Sequence, residues 1–421
     1  MHQLKKIGAI GGAISLALCW PLAVGQIGQN VITDGINNFD NASVKAEIVS
    51  YDRGYLSSVV KTRYTLTDEA LAEQLQADGL PTDWIVLSNI DHGLLSLSAV
   101  SVLENVPQLP LTLNTVTQLN GNTDFSLELA AWHQEFSGED GAAISIAPSN
   151  LTGHATVLGN VNYQLDIPSI EIDFNSGEKL IMTSLTGQGD GKQLNGYWLG
   201  DQVAKLDSIR LTEGESTTLL DINQAQYEFN SALDDMTSRL DSHHVFTINN
   251  ATMDEDTLSN FKVDVSLGDI DSESFSQLLS LYQNNPQLTE TEIQKAIPYV
   301  ETLFSKGFNL TMNKMALTLG KGEFESAWNV TIPEGTDNVA ADPTKILPAL
   351  TGKLDTYFSD ELVEEYPFIK QGIDEAVIME FVQDTDTGYK INADLKDGKL
   401  VFANGQQVPL FALLMPLMLQ P

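Results

Sequence analysis

Asp91-His92-Gly93 sets a carboxylate beside an imidazole, the pair of groups that general acid–base chemistry uses. Neighbouring residues on a strand point to opposite faces, so these two do not readily form a dyad. Asp and Gly are also usual turn residues, and the preferred reading is a turn in which Asp91 caps backbone amides and Gly93 takes a positive φ. No serine stands in a nucleophile-elbow context. Arg53 could grip a phosphate or carboxylate as a fork. In a chain this acidic, an internal ion pair with Asp52 or Asp91 is the more economical reading. His243-His244 suggests metal, but adjacent histidines on a strand diverge, and a zinc site needs convergent ligands. Asp384-Thr385-Asp386-Thr387-Gly388 and Asp269-Ile270-Asp271-Ser272-Glu273 alternate carboxylates as calcium loops do. Neither has the Asp-x-Asp-x-Asp-Gly pattern with its distant Glu, and both read as acidic turns. No Gly-rich phosphate loop precedes a helix. The expectation is therefore no catalytic set, no metal and no cofactor.

The elements that would position these residues are mostly strands. Period-2 alternation dominates from Ile85 to about Thr331: Phe125, Leu127, Leu129; Val157 through Ile167; Ile170, Ile172, Phe174; Phe261 through Leu267; Met315, Leu317, Leu319; Trp328, Val330, Ile332. Clean alternation means one buried and one wet face, the antiparallel pattern. Breaks at Ser137–Gly141 and Gly187–Gly191 read as turns. Before this region, Gln26–Asn41 has helical spacing. Val44–Leu66 reads as two strands joined through Tyr51-Asp52-Arg53-Gly54-Tyr55-Leu56-Ser57-Ser58, and Asp68–Gly79 as a helix capped by Thr67. Helices are expected at Ser272–Tyr282 and Thr289–Lys306, the latter kinked at Pro298. Pro333–Pro343 reads as a linker. Thr344–Val382 reads as helical with breaks near Pro348 and Pro367, followed by a hairpin around Asp397-Gly398. The tail Val408–Leu419 is apolar but too short to span a bilayer.

The fold class expected is thus α+β and predominantly antiparallel β: long meander sheets with a few packing helices. The units expected are residues 1–25, a β-rich body 26–332 with a helical insertion near 272–306, and a C-terminal part 333–421.

Composition narrows the function further. The 421 residues include 22 basic and 57 acidic ones, for a formal net charge of -35. Such a chain has no basic stripe to replace the counterions of nucleic acid. At 42% hydrophobic and 19% charged it has the material for a core. Lys5 and Lys6 precede a charge-free apolar run, Ile7–Gly25, the pattern of a secretory signal. Ala23-Val24-Gly25 offers small residues for cleavage before Gln26. An uncleaved anchor with the lysines held in the cytoplasm is the alternative. Either way the body is exported. Cys19 is the only cysteine, and Leu18 before it is too large for lipoprotein processing, so the body contains no disulfide.

Three stretches together resemble the YdgA-like family of bacterial envelope proteins: Tyr51–Ser58, Asp91-His92-Gly93 about 40 residues on, and Asn404-Gly405-Gln406-Gln407 before the closing apolar segment. The motif residues are Tyr51, Arg53, Gly54, Ser57, Asp91, His92 and Gly93. This sequence departs from the family pattern at Leu94-Leu95, where Pro-Phe is usual, and its helical part before the final hairpin is shorter. The resemblance implies a periplasmic location with an inner-membrane anchor. It implies no activity. Two readings follow: a non-enzymatic envelope scaffold binding another envelope component, or a handler of lipid or another hydrophobic ligand. A hydrolase is a distant third.

Overall fold

The computed structural model describes residues 23–30, 32–34, 36–37, 44–77, 81–136, 141–214, 217–253, 256–284 and 289–412. Most of the apolar run, residues 137–140 of one expected turn and the tail beyond residue 412 lie outside the described residues. The chain divides into two compact units, Met1–Gly177 with Leu185–Gln188 and Glu178–Ser184 with Gly189–Pro421. The expected boundary near Pro333 falls inside the second unit.

Among the described residues the first unit is an antiparallel sheet of ten strands: β1 (Val44–Arg53), β2 (Ser57–Leu66), β3 (Asp83–His92), β4 (Ser96–Leu103), β5 (Leu111–Gln118), β6 (Thr123–Leu129), β7 (Trp132–Glu135), β8 (Ala142–Ile146), β9 (Ser149–Ala155) and β10 (Asn160–Phe174). Laterally they run β1-β2-β3-β4-β5, then β6 continued end to end by β7, then β9 continued end to end by β8, then β10. Helix α1 (Glu69–Ala77) joins β2 to β3. Its amide at Leu71 donates to the Asp68 carboxylate at 3.0 Å, so Asp68 fills the capping position expected for Thr67. Alternation fixes the faces. On β2, Ser58, Val60 and Thr62 point inward and are buried, and across the register Ile90 and His92 of β3 share that face. The residues at 23–30 are helical. Val24 is buried, and the segment lies against this same face.

The second unit is a longer antiparallel meander: β11 (Glu178–Leu194), β12 (Tyr197–Glu213), β13 (Thr217–Asp234), β14 (Arg239–Met253), β15 (Asp256–Asp271), β16 (Phe308–Leu319), β17 (Gly322–Ile332), β18 (Thr351–Ser359), β19 (Gln383–Thr385), β20 (Gly388–Lys396), β21 (Lys399–Phe402) and β22 (Gln407–Pro409). From β12 onward each strand pairs with the next up to β18. Strand β20 then pairs β18 on one edge and β19 and β21 on the other. Helices α2 (Ser272–Asn284) and α3 (Glu290–Lys306) interrupt β15 and β16, as their periodicity predicts. Helix α3 runs on through Pro298, and the Glu292 carboxylate accepts the Thr289 amide at 2.7 Å at its start. These helices cover Tyr197, Leu199, Leu240 and Ile270, with Phe275, Leu279, Leu303 and Phe308 packed around them. Helices α4 (Ile346–Ala349), α5 (Asp360–Glu365) and α6 (Pro367–Ile378) follow, with Leu362 and Val363 buried.

Three expectations are corrected. Gly187–Gly191 is no turn but the middle of β11. A Cβ on Gly191 would stand 2.1 Å from the Leu199 carbonyl oxygen, so this glycine serves close backbone approach. The reversal falls at Asn195-Gly196, both at positive φ. Thr351–Ser359 is strand β18 rather than helix, with Thr356 opposite Ser326 and Phe358 opposite Phe324. Pro333–Pro343 is a tethered loop. Val339 is buried, and the Val339 and Ala340 amides donate to the Glu301 carboxylate at 3.2 and 2.6 Å. Among the described residues no helix is long and apolar enough to cross a membrane.

Candidate functional site

The motif residues gather at one end of the first sheet, on the β1–β2 and β3–β4 hairpins. The two turns are built alike. Arg53-Gly54-Tyr55-Leu56-Ser57 closes with the Gly54 amide donating to the Ser57 carbonyl at 2.7 Å, and His92-Gly93-Leu94-Leu95-Ser96 with the Gly93 amide donating to the Ser96 carbonyl at 2.9 Å. A Cβ on either glycine would meet that serine carbonyl oxygen at 2.8 Å. Neither glycine has a positive φ, so the expected left-handed Gly93 is corrected: close approach demands the glycine there. The sequence carries the likeness as Asp-x-Gly-x-Leu-Ser, at Asp52–Ser57 and Asp91–Ser96.

Asp91 and His92 part company as strand geometry requires. Asp91 is exposed, opposite Ser57. His92 turns inward and is only 6% exposed. Its Nδ1 lies 3.3 Å from the Tyr55 carbonyl oxygen and its Nε2 2.8 Å from Ser58 Oγ. A carbonyl only accepts, so Nδ1 is the donor there, and Nε2 is left to accept the hydrogen bond that the Ser58 hydroxyl donates. Ser58 is 1% exposed. Burial raises the Tyr51 pKa above its ordinary value, against the opposing effects of Ser58 and the Arg53 charge. The motif thus builds a buried Ser58–His92 pair tied to the Tyr55 carbonyl, with the half-buried Tyr51 on the same face.

A lid of chain closes over it. A Cβ on Gly25 would stand 2.4 Å from His92 Cε1, and one on Gly28 2.3 Å from Leu97 Cδ1. Glycines three apart on one helical face let the backbone lie directly on those side chains. Arg53 Nη1 donates to Gln26 Oε1. This replaces the ion pair with Asp52 or Asp91 expected from sequence.

The family comparison decides where this arrangement belongs. A family described as a bacterial protein of unknown function, DUF945, matches residues 4–411. The chain belongs to this family. No curated protein and no solved structure matches it. In this DUF945 chain the match begins within the first residues and takes in the helical segment, both hairpins and the β20–β21 hairpin alike.

The remaining sequence candidates do not converge. On adjacent β14 positions, His243 Nε2 lies 2.8 Å from Asp264, and His244 Nδ1 2.8 Å from the Tyr227 hydroxyl. Burial, then the neighbouring His243, lowers the His244 pKa. Asp271 receives Lys306 Nζ at 2.6 Å and the Ser274 hydroxyl at 2.7 Å. Its burial works against the charge, but these bonds outweigh it, and the pKa falls below the usual carboxylate value. Asp269 accepts from Asn309 at 3.0 Å. Among the described residues no three His, Cys, Asp or Glu side chains could hold a metal ion.

Sequence reasoning found the motif in this family member but missed Ser58, Gln26 and Gly25. A serine bonded to a histidine resembles a nucleophile and its base. Here the far ring nitrogen meets a carbonyl instead of a carboxylate, and Gly25 lies on the ring. The Ser58–His92 bond ties β3 to β2 beneath the helical segment.

Proposed function

We propose that this DUF945 protein is a non-enzymatic envelope protein, held at the inner membrane by Ile7–Gly25 and presenting its sheets to the periplasm as a binding scaffold. The observation that carries this reading is the docking of the 23–30 segment at the motif: Val24 is buried, Gly25 lies on His92, Gly28 on Leu97, and Gln26 accepts from Arg53. Cleavage before Gln26 would strip Val24 and Gly25 from a buried seat. Burying a valine side chain is worth about 2 kcal/mol, so the folded first unit favours an intact junction with the apolar run. The YdgA-like resemblance supports the same location. The partner is another envelope component or lipid, and the net charge of -35 speaks against nucleic acid.

The test is fractionation of a Gram-negative host making the full chain. Carbonate-resistant membrane association, with the body open to protease only in spheroplasts, is the expected result. A protein released with the periplasmic fraction would defeat the tether.

One observation favours the second reading, a lipid or hydrophobic-ligand handler. Across β12 to β16 one face carries the aligned rows Leu206, Ala225, Ile248, Phe261 and Ala204, Tyr227, Phe246, Val263, Met315. Tyr227 and Phe246 remain exposed on it. Native mass spectrometry of the detergent-extracted chain distinguishes the readings: lipid retained in fixed stoichiometry supports the handler, and a ligand-free mass supports the scaffold.

A further inference from the structure

Four hairpin turns of the first unit end at the same side of the sheet: Arg53–Ser57 between β1 and β2, His92–Ser96 between β3 and β4, Gln118–Asn122 between β5 and β6, and Thr156–Asn160 between β9 and β10. They are joined in a row. The His92 amide donates to the Leu56 carbonyl at 2.7 Å, the Leu119 amide to the Leu95 carbonyl at 3.2 Å, and the Val157 amide to the Asn122 carboxamide oxygen at 3.3 Å. Eight strands at ~4.8 Å spacing make this row roughly 30 Å long.

The tips are apolar and point away from the protein. Leu56 is 58% exposed, Leu95 70% and Leu158 80%; Tyr55, Leu94, Leu119 and Val157 are exposed beside them. Isolated surface leucines are ordinary, but a connected line of seven apolar side chains marks a contact surface. In a chain with 57 acidic residues, none of these four turns holds an Asp or Glu. The nearest carboxylates, Asp52 and Asp91, stand behind the turns. At the opposite end of the same sheet the connections carry Asp68 and Glu104, and Asp83 opens β3.

The helical segment at 23–30 says what covers the row. It sits at the same end, with Gly25 on His92, Gly28 on Leu97 and Gln26 bonded to Arg53. Ile27 is exposed there too. Continuous with this segment in sequence is the charge-free run Ile7–Gly25.

We propose that the four turns rest in the headgroup–acyl boundary of the membrane that holds this run, so that the sheet stands on the bilayer at several points. This rests on the tethered reading above. Apolar side chains at turn tips favour that layer, and the absence of carboxylates avoids repulsion from anionic lipid. One anchor leaves a body free to swing; a row of tips fixes its orientation.

Cys19 is the only cysteine, which makes a nitroxide scan direct. Leu95→Cys, Leu158→Cys and Gln108→Cys are made in a Cys19→Ser background, and the native Cys19 protein is labelled alongside. Each full chain is reconstituted in phosphatidylethanolamine/phosphatidylglycerol vesicles, and collision with oxygen is compared with collision with a water-soluble nickel chelate. All three new positions are exposed, so unchanged circular dichroism is expected. Oxygen contact exceeding nickel contact at 95 and 158, with the ratio inverted at 108, is the predicted result. Water-like values at 95 and 158 overturn the proposal, as does shielding from both reagents, which would mean a protein partner. If Cys19 reads lipid while the tips read water, the tether stands and the contact falls. If Cys19 also reads water, both fall.

Discussion

His92 Nε2 lies 2.8 Å from Ser58 Oγ, with both side chains buried beneath the helical segment that follows the apolar run. That bond ties the third strand to the second where the N-terminal chain docks. Removing the imidazole leaves a buried hydroxyl without its partner, which costs about 1–3 kcal/mol. His92→Ala is therefore expected to lower the urea midpoint of the first unit. A fluorophosphonate probe is expected to leave Ser58 unmodified. Labelling at Ser58 would revive the hydrolase reading.

The glycines at 25 and 28 make a second prediction. Any side chain there must displace His92 or Leu97, because the backbone lies on both. Gly25→Leu is expected to lift the segment from the sheet and open it to limited proteolysis between residues 23 and 37. Arg53→Ala should do the same more weakly, losing one exposed hydrogen bond worth about 1 kcal/mol. Equal protection in Gly25→Leu and the parent chain would show that the segment does not depend on this seat.

Acid should loosen the second unit. Both Asp271 and His244 have folded pKa values below their ordinary ones. A depressed group contributes stability above its unfolded pKa and loses it as pH falls through the folded value. His244 acts below its ordinary value of 6.5, Asp271 below 3.8. Thermal midpoints should therefore fall in two stages as pH drops from 7. His244→Gln is expected to flatten the first stage and Asp271→Asn the second. A midpoint that rises on acidification would contradict the assigned directions.

Lys306 gives a related prediction at neutral pH. Its Nζ meets the buried Asp271 carboxylate at 2.6 Å, although Lys306 itself is half exposed. Lys306→Met strands that carboxylate, and with solvent screening the expected cost is about 2 kcal/mol, read as a lower denaturation midpoint at pH 7. Asp271→Asn combined with Lys306→Met should recover part of the loss.

Local signals in the sequence were enough for much of this fold. Asp397-Gly398 takes two positive φ angles between β20 and β21, as the dipeptide suggests, and the amphipathic runs at Ser272 and Glu290 are helices. Strand β18 is short and lies between the helical stretches Ile346–Ala349 and Asp360–Glu365, so its alternation at Leu354, Thr356 and Phe358 merges with theirs, and pairing with β17 and β20 marks the extended form. The glycines of β11 mimic a turn because close approach and chain reversal call for the same residue type. At the site, the sequence pointed to Asp91, His92, Gly93 and Arg53 but not to their partners. Ser58 and Gln26 reach His92 and Arg53 across 34 and 27 residues, distances that register and docking set and local pattern does not. The repeat Asp-x-Gly-x-Leu-Ser was the readable clue that two hairpins act as one unit.

The measurement that bears most directly on the central claim is the intact mass of the protein extracted from host membranes. If the segment after the apolar run belongs to the fold, the mass is that of a chain still carrying Ile7–Gly25, and Gly25 remains covalently joined to Gln26. A mature chain beginning at Gln26, folded and stable, would contradict it, because the seat on His92 would then be empty in the working protein.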